Sequence, residues 1–360
     1  MIAAGPSQEA ERGVRTCEFD YQLPSELIAQ TPVEPRDASR LMVLDRCTGT
    51  ILHRRFYELP EFLRPGDLLV YNESRVIPAR LFACKPTGGR VEILLLRQRS
   101  AETWESLVKG KSVRQGTRLL LLDGPGGSPT GATAEVLERG ERGLCVLAFD
   151  RPALEIAEEV GTTPLPPYIR TPLADRGRYQ TVYARTPGSS AAPTAGLHFT
   201  PGLLERLSTM GVQSAFVTLH IGLDTFRPVS EEHIEQHRLH SEYCVLTEET
   251  AETINRARKA GRRVIAVGTT SVRVLESAAS APGTVRPFEG MTGLFIYPGY
   301  EFRIVDGLIT NFHLPRSTLL MLVAAFAGKE FIERAYAEAI RQRYRFYSFG
   351  DAMLIVSLKN

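Results

Sequence analysis

No two of the five cysteines (Cys17, Cys47, Cys84, Cys145 and Cys244) stand close enough to form a Cys-x-x-Cys pair, and their number is odd. That spacing argues against a disulfide framework and fits reduced thiols in a cytosolic protein. Long hydrophobic runs are also lacking. The strongest apolar stretch, Leu319 to Gly328, is too short to cross a bilayer. The opening MIAAGPSQEAERG has no apolar signal-peptide core and reads as a flexible tail over residues 1–16. Excess charge is scarce as well: the formal net charge is +2, so composition does not announce a nucleic-acid binder, although a local basic face remains open. These absences lead to the expectation of a cytoplasmic protein, a monomer with no membrane partner.

What is present suits a globular chain. Of 360 residues, 43% are hydrophobic and 23% charged, enough for one large domain or two ordinary ones. Short β-type runs appear at Leu41–Asp45 and Asp67–Asn72. From about Ala79 to Asp150 the runs Arg90–Leu96, Arg118–Leu122, Ala132–Leu137 and Leu144–Phe149 read as strands with no convincing helix between them. Beyond that, strands alternate with helices. Thr200, Thr247 and Ser317 stand as N-caps, with Pro201 at a first helical position and Glu248 and Glu249 in a first turn. Thr318–Ala327 is apolar on nearly every side and should be buried. The expected organisation is α/β: a main domain from residues 17–80 plus 152–360, interrupted by an all-β, barrel-like domain at 81–151.

Several familiar signatures fail. Gly110-Lys111-Ser112 ends like a phosphate-binding P-loop, but Glu105 stands where that loop needs glycine. The glycine-rich Gly124–Gly131 lies between strands, as a hairpin tip would, and does not open a helix. No Gly-x-Ser-x-Gly elbow is present. His233, His237 and His240 have spacings that suit one helical face and a zinc ion, yet no nearby cysteine completes a set and the segment is strongly charged, so no metal is expected.

Four stretches carry more chemistry. In Gly188–His198 the small residues allow close backbone approach to a ligand, or simply a tight connection. Gly268-Thr269-Thr270-Ser271 leaves a buried strand and opens a helix, where ligands collect in open α/β sheets, and Arg273 in the first turn would add a charged contact; the bland reading is ordinary capping. Thr310-Asn311-Phe312-His313 offers an amide, an imidazole and a ring within four positions. Tyr344–Asp351 mixes aromatics with basic groups beside Arg341 and Arg343, which suits single-stranded RNA but equally a packed aromatic segment.

Together these stretches resemble one family. The resemblance rests on Asn72-Glu73-Ser74-Arg75-Val76-Ile77-Pro78-Ala79-Arg80, Pro166-Pro167-Tyr168-Ile169 and Tyr179-Gln180-Thr181-Val182-Tyr183. Ala192-Pro193-Thr194-Ala195-Gly196-Leu197-His198-Phe199, Val217-Thr218-Leu219-His220, Val267–Arg273, Thr310–Pro315 and Tyr344–Ile355 continue it, from about Phe19 to Ile355. The sequence is similar to the S-adenosylmethionine:tRNA ribosyltransferase-isomerases, which make epoxyqueuosine. It departs from them at Glu73 and Ser74, at Asp224 where glycine is usual, and at His233.

The resemblance implies a two-domain, L-shaped fold with β-barrel elements and an active site in a cleft. It implies transfer of the ribosyl carbons of S-adenosylmethionine, a co-substrate with no permanently bound cofactor, to 7-aminomethyl-7-deazaguanine (preQ1) at the tRNA wobble position, releasing adenine and methionine. For the proton transfers such a reaction needs, the expected carrier is His198 or His313, and Asp351 would counter the sulfonium charge or orient a base. Substrate contacts would come from Pro193, Thr194, Gly196, His220, Gly268, Thr269, Thr270, Ser271, Arg273 and Asn311. Arg75, Arg80, Arg341, Arg343, Tyr344 and Arg345 would meet tRNA. A conventional methyltransferase would show a glycine-rich dinucleotide-type loop, which is missing here, and a non-catalytic tRNA-binding protein would not need the small residues of 192–196.

Overall fold

The computed structural model describes residues 13–173, 175–222 and 228–358, so the Asp224 departure lies outside the described residues. The chain divides into two compact units. One comprises Met1–Asn72, Thr194–Val217 and Asp224–Asn360; the other comprises Glu73–Pro193 and Thr218–Leu223.

The first unit is built on a mixed nine-stranded sheet. Gln213–Leu219, Leu68–Asn72, Val264–Val267 and Gly307–Asn311 run parallel through its middle. Ala352–Val356 follows antiparallel to Gly307–Asn311 and parallel to Arg40–Asp45, and Thr50–Arg55 closes that side as a hairpin partner. On the other side lie Glu242–Leu246 and Phe288–Thr292, antiparallel to each other. Strands covered on both faces lose the polar half of the usual alternation. Leu68–Asn72, Val264–Val267, Gly307–Asn311 and Ala352–Val356 accordingly read as mainly apolar runs, broken only by Asn72 and by Thr310 and Asn311 at their carboxyl ends, and every one of their residues is buried.

The helices of this unit start where their caps stand. The hydroxyls of Thr200, Thr247 and Ser317 accept from the N–H groups of Leu203, Thr250 and Leu320. Each satisfies one of the donors a helix start leaves without an intrahelical partner. The Thr318–Ala327 helix that Ser317 opens is buried along nearly its whole length, as its unrelieved apolar character requires.

The second unit holds a closed six-stranded barrel, in the order Leu144–Phe149, Thr103–Lys109, Arg90–Gln98, Arg80–Cys84, Arg118–Leu122, Pro129–Arg139. Closure pairs every strand on both sides and leaves no edge. Its interior is filled by Trp104, Ile93, Leu95, Leu81, Leu119, Leu121, Val136 and Leu147, each at most 1% exposed. The glycine-rich segment 123–128 is the hairpin tip that its position between strands suggests. The sequence reading missed the helix Ala153–Val160, whose eight residues carry only three buried side chains.

Candidate active site

In a sheet with parallel central strands, the carboxyl ends gather loops and helix starts at one edge. Gly268, which follows Val267, carries φ +90°, a left-handed conformation that turns the chain at once into the helix Thr269–Ser277. A Cβ there would lie 3.7 Å from that of Ala195, so the small-residue turn Thr194–His198 packs against this helix start.

His198 sits in that turn, buried, with both ring nitrogens engaged. Nδ1 lies 2.7 Å from the Ser39 hydroxyl, and Nε2 lies 3.1 Å from Asn311 Nδ2. An amide nitrogen only donates, so Nε2 accepts and the proton rests on Nδ1. Asn311 Nδ2 also donates to the Tyr347 carbonyl, and Asn311 Oδ1 accepts from the Thr194 hydroxyl at 3.0 Å. Phe56 stacks on the imidazole with 5.0 Å between centroids. Burial, with smaller contributions from Arg345 and Arg36, pushes the His198 pKa down to about 3. The imidazole is therefore neutral near pH 7, with a fixed tautomer and a fixed plane.

Thr194, His198 and Asn311 are thus joined, together with Ser39 and Phe56, which sequence reasoning had not singled out. Ser39 ends a segment from a distant part of the chain, and Phe56 is one ring in the polar stretch Arg54–Glu58. Neither carries a local signal of its role.

His313 lies in a separate set. Its ring Nε2 is 2.7 Å from the Thr310 hydroxyl, its N–H donates to Tyr336 Oη, and its carbonyl accepts from Tyr21 Oη. Burial pushes its pKa down to about 3 as well. Asp351 accepts two backbone N–H groups, from Arg40 on Oδ1 and from Arg345 on Oδ2, both at 2.8 Å. Burial raises its carboxyl above the ordinary value in spite of those bonds. Its carboxylate therefore ties the start of the Arg40–Asp45 strand to the 345–350 loop.

The helix opened by Gly268 has no side-chain cap, so its first N–H groups keep their polarity for something else. Ser271 donates its hydroxyl to the Val267 carbonyl. Thr270 is 6% exposed, and its hydroxyl has no hydrogen-bond partner among the described residues. Arg273 is different from its sequence expectation. All three guanidinium nitrogens are committed, to Glu242, to the Leu294 carbonyl and to the Thr292 carbonyl. It is a buried latch that ties the helix start to Glu242 and to the 292–294 segment.

In the second unit, Gly188 has φ +139° and approaches His220 so closely that a Cβ would meet the ring Nε2 at 2.8 Å. Burial pushes the His220 pKa down to about 4. The Ser74 hydroxyl joins this segment through the Leu219 carbonyl at 2.7 Å. Glu73 lies 3.8 Å from Arg185, and burial raises its carboxyl. Pro193 is buried at the end of the unit's long segment.

The family model described as "Queuosine biosynthesis protein" matches residues 16–355. The chain belongs to that family. It is 56% identical to the S-adenosylmethionine:tRNA ribosyltransferase-isomerase of Symbiobacterium thermophilum over 95% of its length and 100% of the relative. It is 54% identical to the enzyme of that name from Thermotoga maritima, again over 95% of this chain and all of the relative. The crystal structure of the Thermotoga maritima S-adenosylmethionine tRNA ribosyltransferase matches with TM-score 0.55 and 46% identity, covering 94% of this chain and 100% of that one.

Within the family frame the remaining expectations fall unevenly. Arg75 is exposed, 3.6 Å from Glu158, and Arg80 lies 3.3 Å from Glu92. Arg341 is exposed and bonded to Glu338; Arg343 is exposed; Arg345 is half-buried and donates to the Thr31 carbonyl. Tyr344 is fully buried, with Arg40 stacked 3.6 Å above its ring and its hydroxyl bonded to His53, so it has no face free for a base. The packed reading of that aromatic stretch is the one realised. His233, His237 and His240 do not share a helical face: only the short turn Ile234–Gln236 forms, His237 pairs with Glu231, and no cluster suited to a metal occurs among the described residues. No helix among the described residues is long and apolar enough to cross a membrane.

Proposed function

We propose that this chain transfers and isomerises the ribosyl part of S-adenosylmethionine onto preQ1 at the tRNA wobble position, giving epoxyqueuosine and releasing adenine and methionine. The observation that carries the reading is more than 50% identity across the full length of enzymes bearing that name. The geometry is consistent with the division of labour the reaction needs. A sulfonium acidifies its neighbouring C–H bonds, so proton removal asks for a well-placed neutral acceptor more than for a strong base. His198, His313 and Asp351 are the proton-handling and positioning candidates. Of these, His198 and His313 are both held neutral, and the hydrogen bond His198 accepts fixes the Asn311 amide in one orientation.

The uncapped helix start at Thr269–Ser271, with the unpartnered Thr270 hydroxyl, suits a carboxylate or the polar edge of the cofactor's adenosyl or methionyl portion. Pro193, Thr194, Gly196, His220, Gly268 and Asn311 complete the proposed substrate set. Arg75, Arg80, Arg341, Arg343 and Arg345 are the proposed tRNA contacts.

A Thr270→Val substitution keeps the side-chain shape and removes one hydroxyl. S-adenosylmethionine affinity is expected to fall about tenfold, the loss of roughly one hydrogen bond, with tRNA affinity unchanged. Calorimetric titration checks both, and an unchanged cofactor affinity would take Thr270 out of the substrate set. For the reaction itself, the protein is incubated with S-adenosylmethionine and preQ1-bearing tRNA, and products are followed by mass spectrometry. Adenine and epoxyqueuosine arising together support the reading. Released S-adenosylhomocysteine would replace it with methyl transfer.

A further inference from the structure

One end of the barrel gathers positive charge that the reaction does not use. Strand register fixes which termini meet there. Cys84 pairs with Arg90 and with Leu120, and Glu92 pairs with Lys109. The end of Arg80–Cys84, the start of Arg90–Gln98, the end of Thr103–Lys109 and the start of Arg118–Leu122 therefore share one rim, on four strands that are neighbours in the barrel. Of the three connections at this rim, residues 85–89 and 110–117 contain no acidic residue, and the third, 140–143, holds Glu141 beside Arg142.

The rim consequently carries Lys85, Lys109, Lys111, Arg114 and Arg118, together with the strand start at Arg90, whose guanidinium reaches toward Gly126 in the 123–128 tip. All are exposed except Lys85, which is half-buried and donates to the Lys111 carbonyl at 3.0 Å, joining the two connections. Val113 is 2% exposed and anchors the longer connection in the barrel core.

Two of the four nearby carboxylates are committed elsewhere. Glu92 pairs with Arg80 and Glu138 with Arg99. Glu135 faces Arg118 across its strand pair, and Glu141 stands in the adjoining turn with Arg142. Among the described residues none of the six cations has an ion-pair partner. With strands about 4.8 Å apart, the four termini span about 15 Å, enough to meet several successive phosphates of a nucleic-acid strand.

We propose that this barrel rim is a docking surface for the phosphate backbone of tRNA, additional to the residues named above and independent of base identity. The proposal rests on the tRNA-modifying reading. Contacts of this type act through counterion release, so they position RNA and set its affinity without reading its sequence.

The test uses the full-length protein with Lys109→Ala, Lys111→Ala and Arg114→Ala combined, and a second variant with Lys109→Arg and Lys111→Arg. tRNA binding is measured by fluorescence anisotropy from 50 to 200 mM salt, beside steady-state kinetics. The alanine variant should bind tRNA about 10- to 100-fold more weakly at 0.15 M salt, and its slope of log affinity against log salt should be shallower by about 2–3. KM for tRNA should rise while kcat and S-adenosylmethionine affinity hold, and the arginine variant should behave as the parent. Affinity and slope unchanged in the alanine variant would overturn the proposal, as would an equal loss in the arginine variant. A parent protein that binds tRNA through this rim yet forms no epoxyqueuosine would leave the docking surface standing and remove the reaction instead.

Discussion

An Arg273→Met variant is expected to lose about 3–5 kcal/mol of unfolding free energy in urea, the usual result of stranding one member of a buried ion pair. The side chains of Arg273 and Glu242 are 4% and 6% exposed, so water cannot take over when either is removed. The two carbonyls of Thr292 and Leu294 would also lose their donor. Replacing both members, as Arg273→Met with Glu242→Leu, should recover most of the loss, because no bare charge then remains inside. The same measurement separates two roles. A ligand-binding arginine at the helix start would leave urea stability nearly unchanged when replaced and would weaken S-adenosylmethionine binding instead. The committed guanidinium favours the first outcome, and near-parental stability would refute it.

Acidification from pH 7 to pH 5 is expected to remove about 6 kcal/mol of stability, about 2 kcal/mol from each of three imidazoles. His198 and His313 are depressed to about 3 and His220 to about 4, all by burial. In the unfolded chain an imidazole takes up its proton near the ordinary value of 6.5, while in the folded chain these three stay neutral until well below pH 5. The unfolded state therefore binds more protons throughout that window, and stability, complete above 6.5, falls as the pH falls. Asp351 and Glu73 act in the opposite sense, their carboxyls being raised by burial. A loss of that size is comparable to the whole stability of many domains. Thermal unfolding followed from pH 7.5 to 5 would show it, and a His198→Gln variant should flatten the slope by about a third. A slope untouched by replacing His198 and His313 together would assign the acid sensitivity to other groups.

What sequence disclosed and what it withheld divide along physical lines. Local signals were legible: Thr200, Thr247 and Ser317 cap helices because a hydroxyl bonds an amide only three residues away, and Thr318–Ala327 is buried because no side of it is polar. The barrel showed itself as a run of short strands without helices, although Thr103–Lys109 and Arg80–Cys84 escaped notice amid their charged residues. The meeting of Thr194, His198 and Asn311 was legible only as separate motifs. Partners set by sheet topology were not legible. Arg273 read as a ligand arm because Glu242 lies 31 positions away, and the Ser39–His198 bond spans 159 positions. Tyr344 read as a stacking platform because its sequence neighbours are basic, whereas its ring lies inside, under Arg40. The three histidines failed as a face because no helix forms to align them.

The order of the nine-stranded sheet has a bearing on how the protein is made. Ala352–Val356 lies between Gly307–Asn311 and Arg40–Asp45, so the strand translated last among the nine joins the hairpin translated first to the parallel core. At about 5–20 residues per second, the hairpin 40–55 waits roughly 15–60 s on the ribosome before its permanent neighbour exists. Throughout that interval the apolar edge Leu41-Met42-Val43-Leu44, wholly buried in the finished sheet, is open to any passing strand. Nascent chains that stall before residue 352 should therefore be the species that holding chaperones capture, and slow codons placed late in the message should lower the soluble yield more than the same codons placed early.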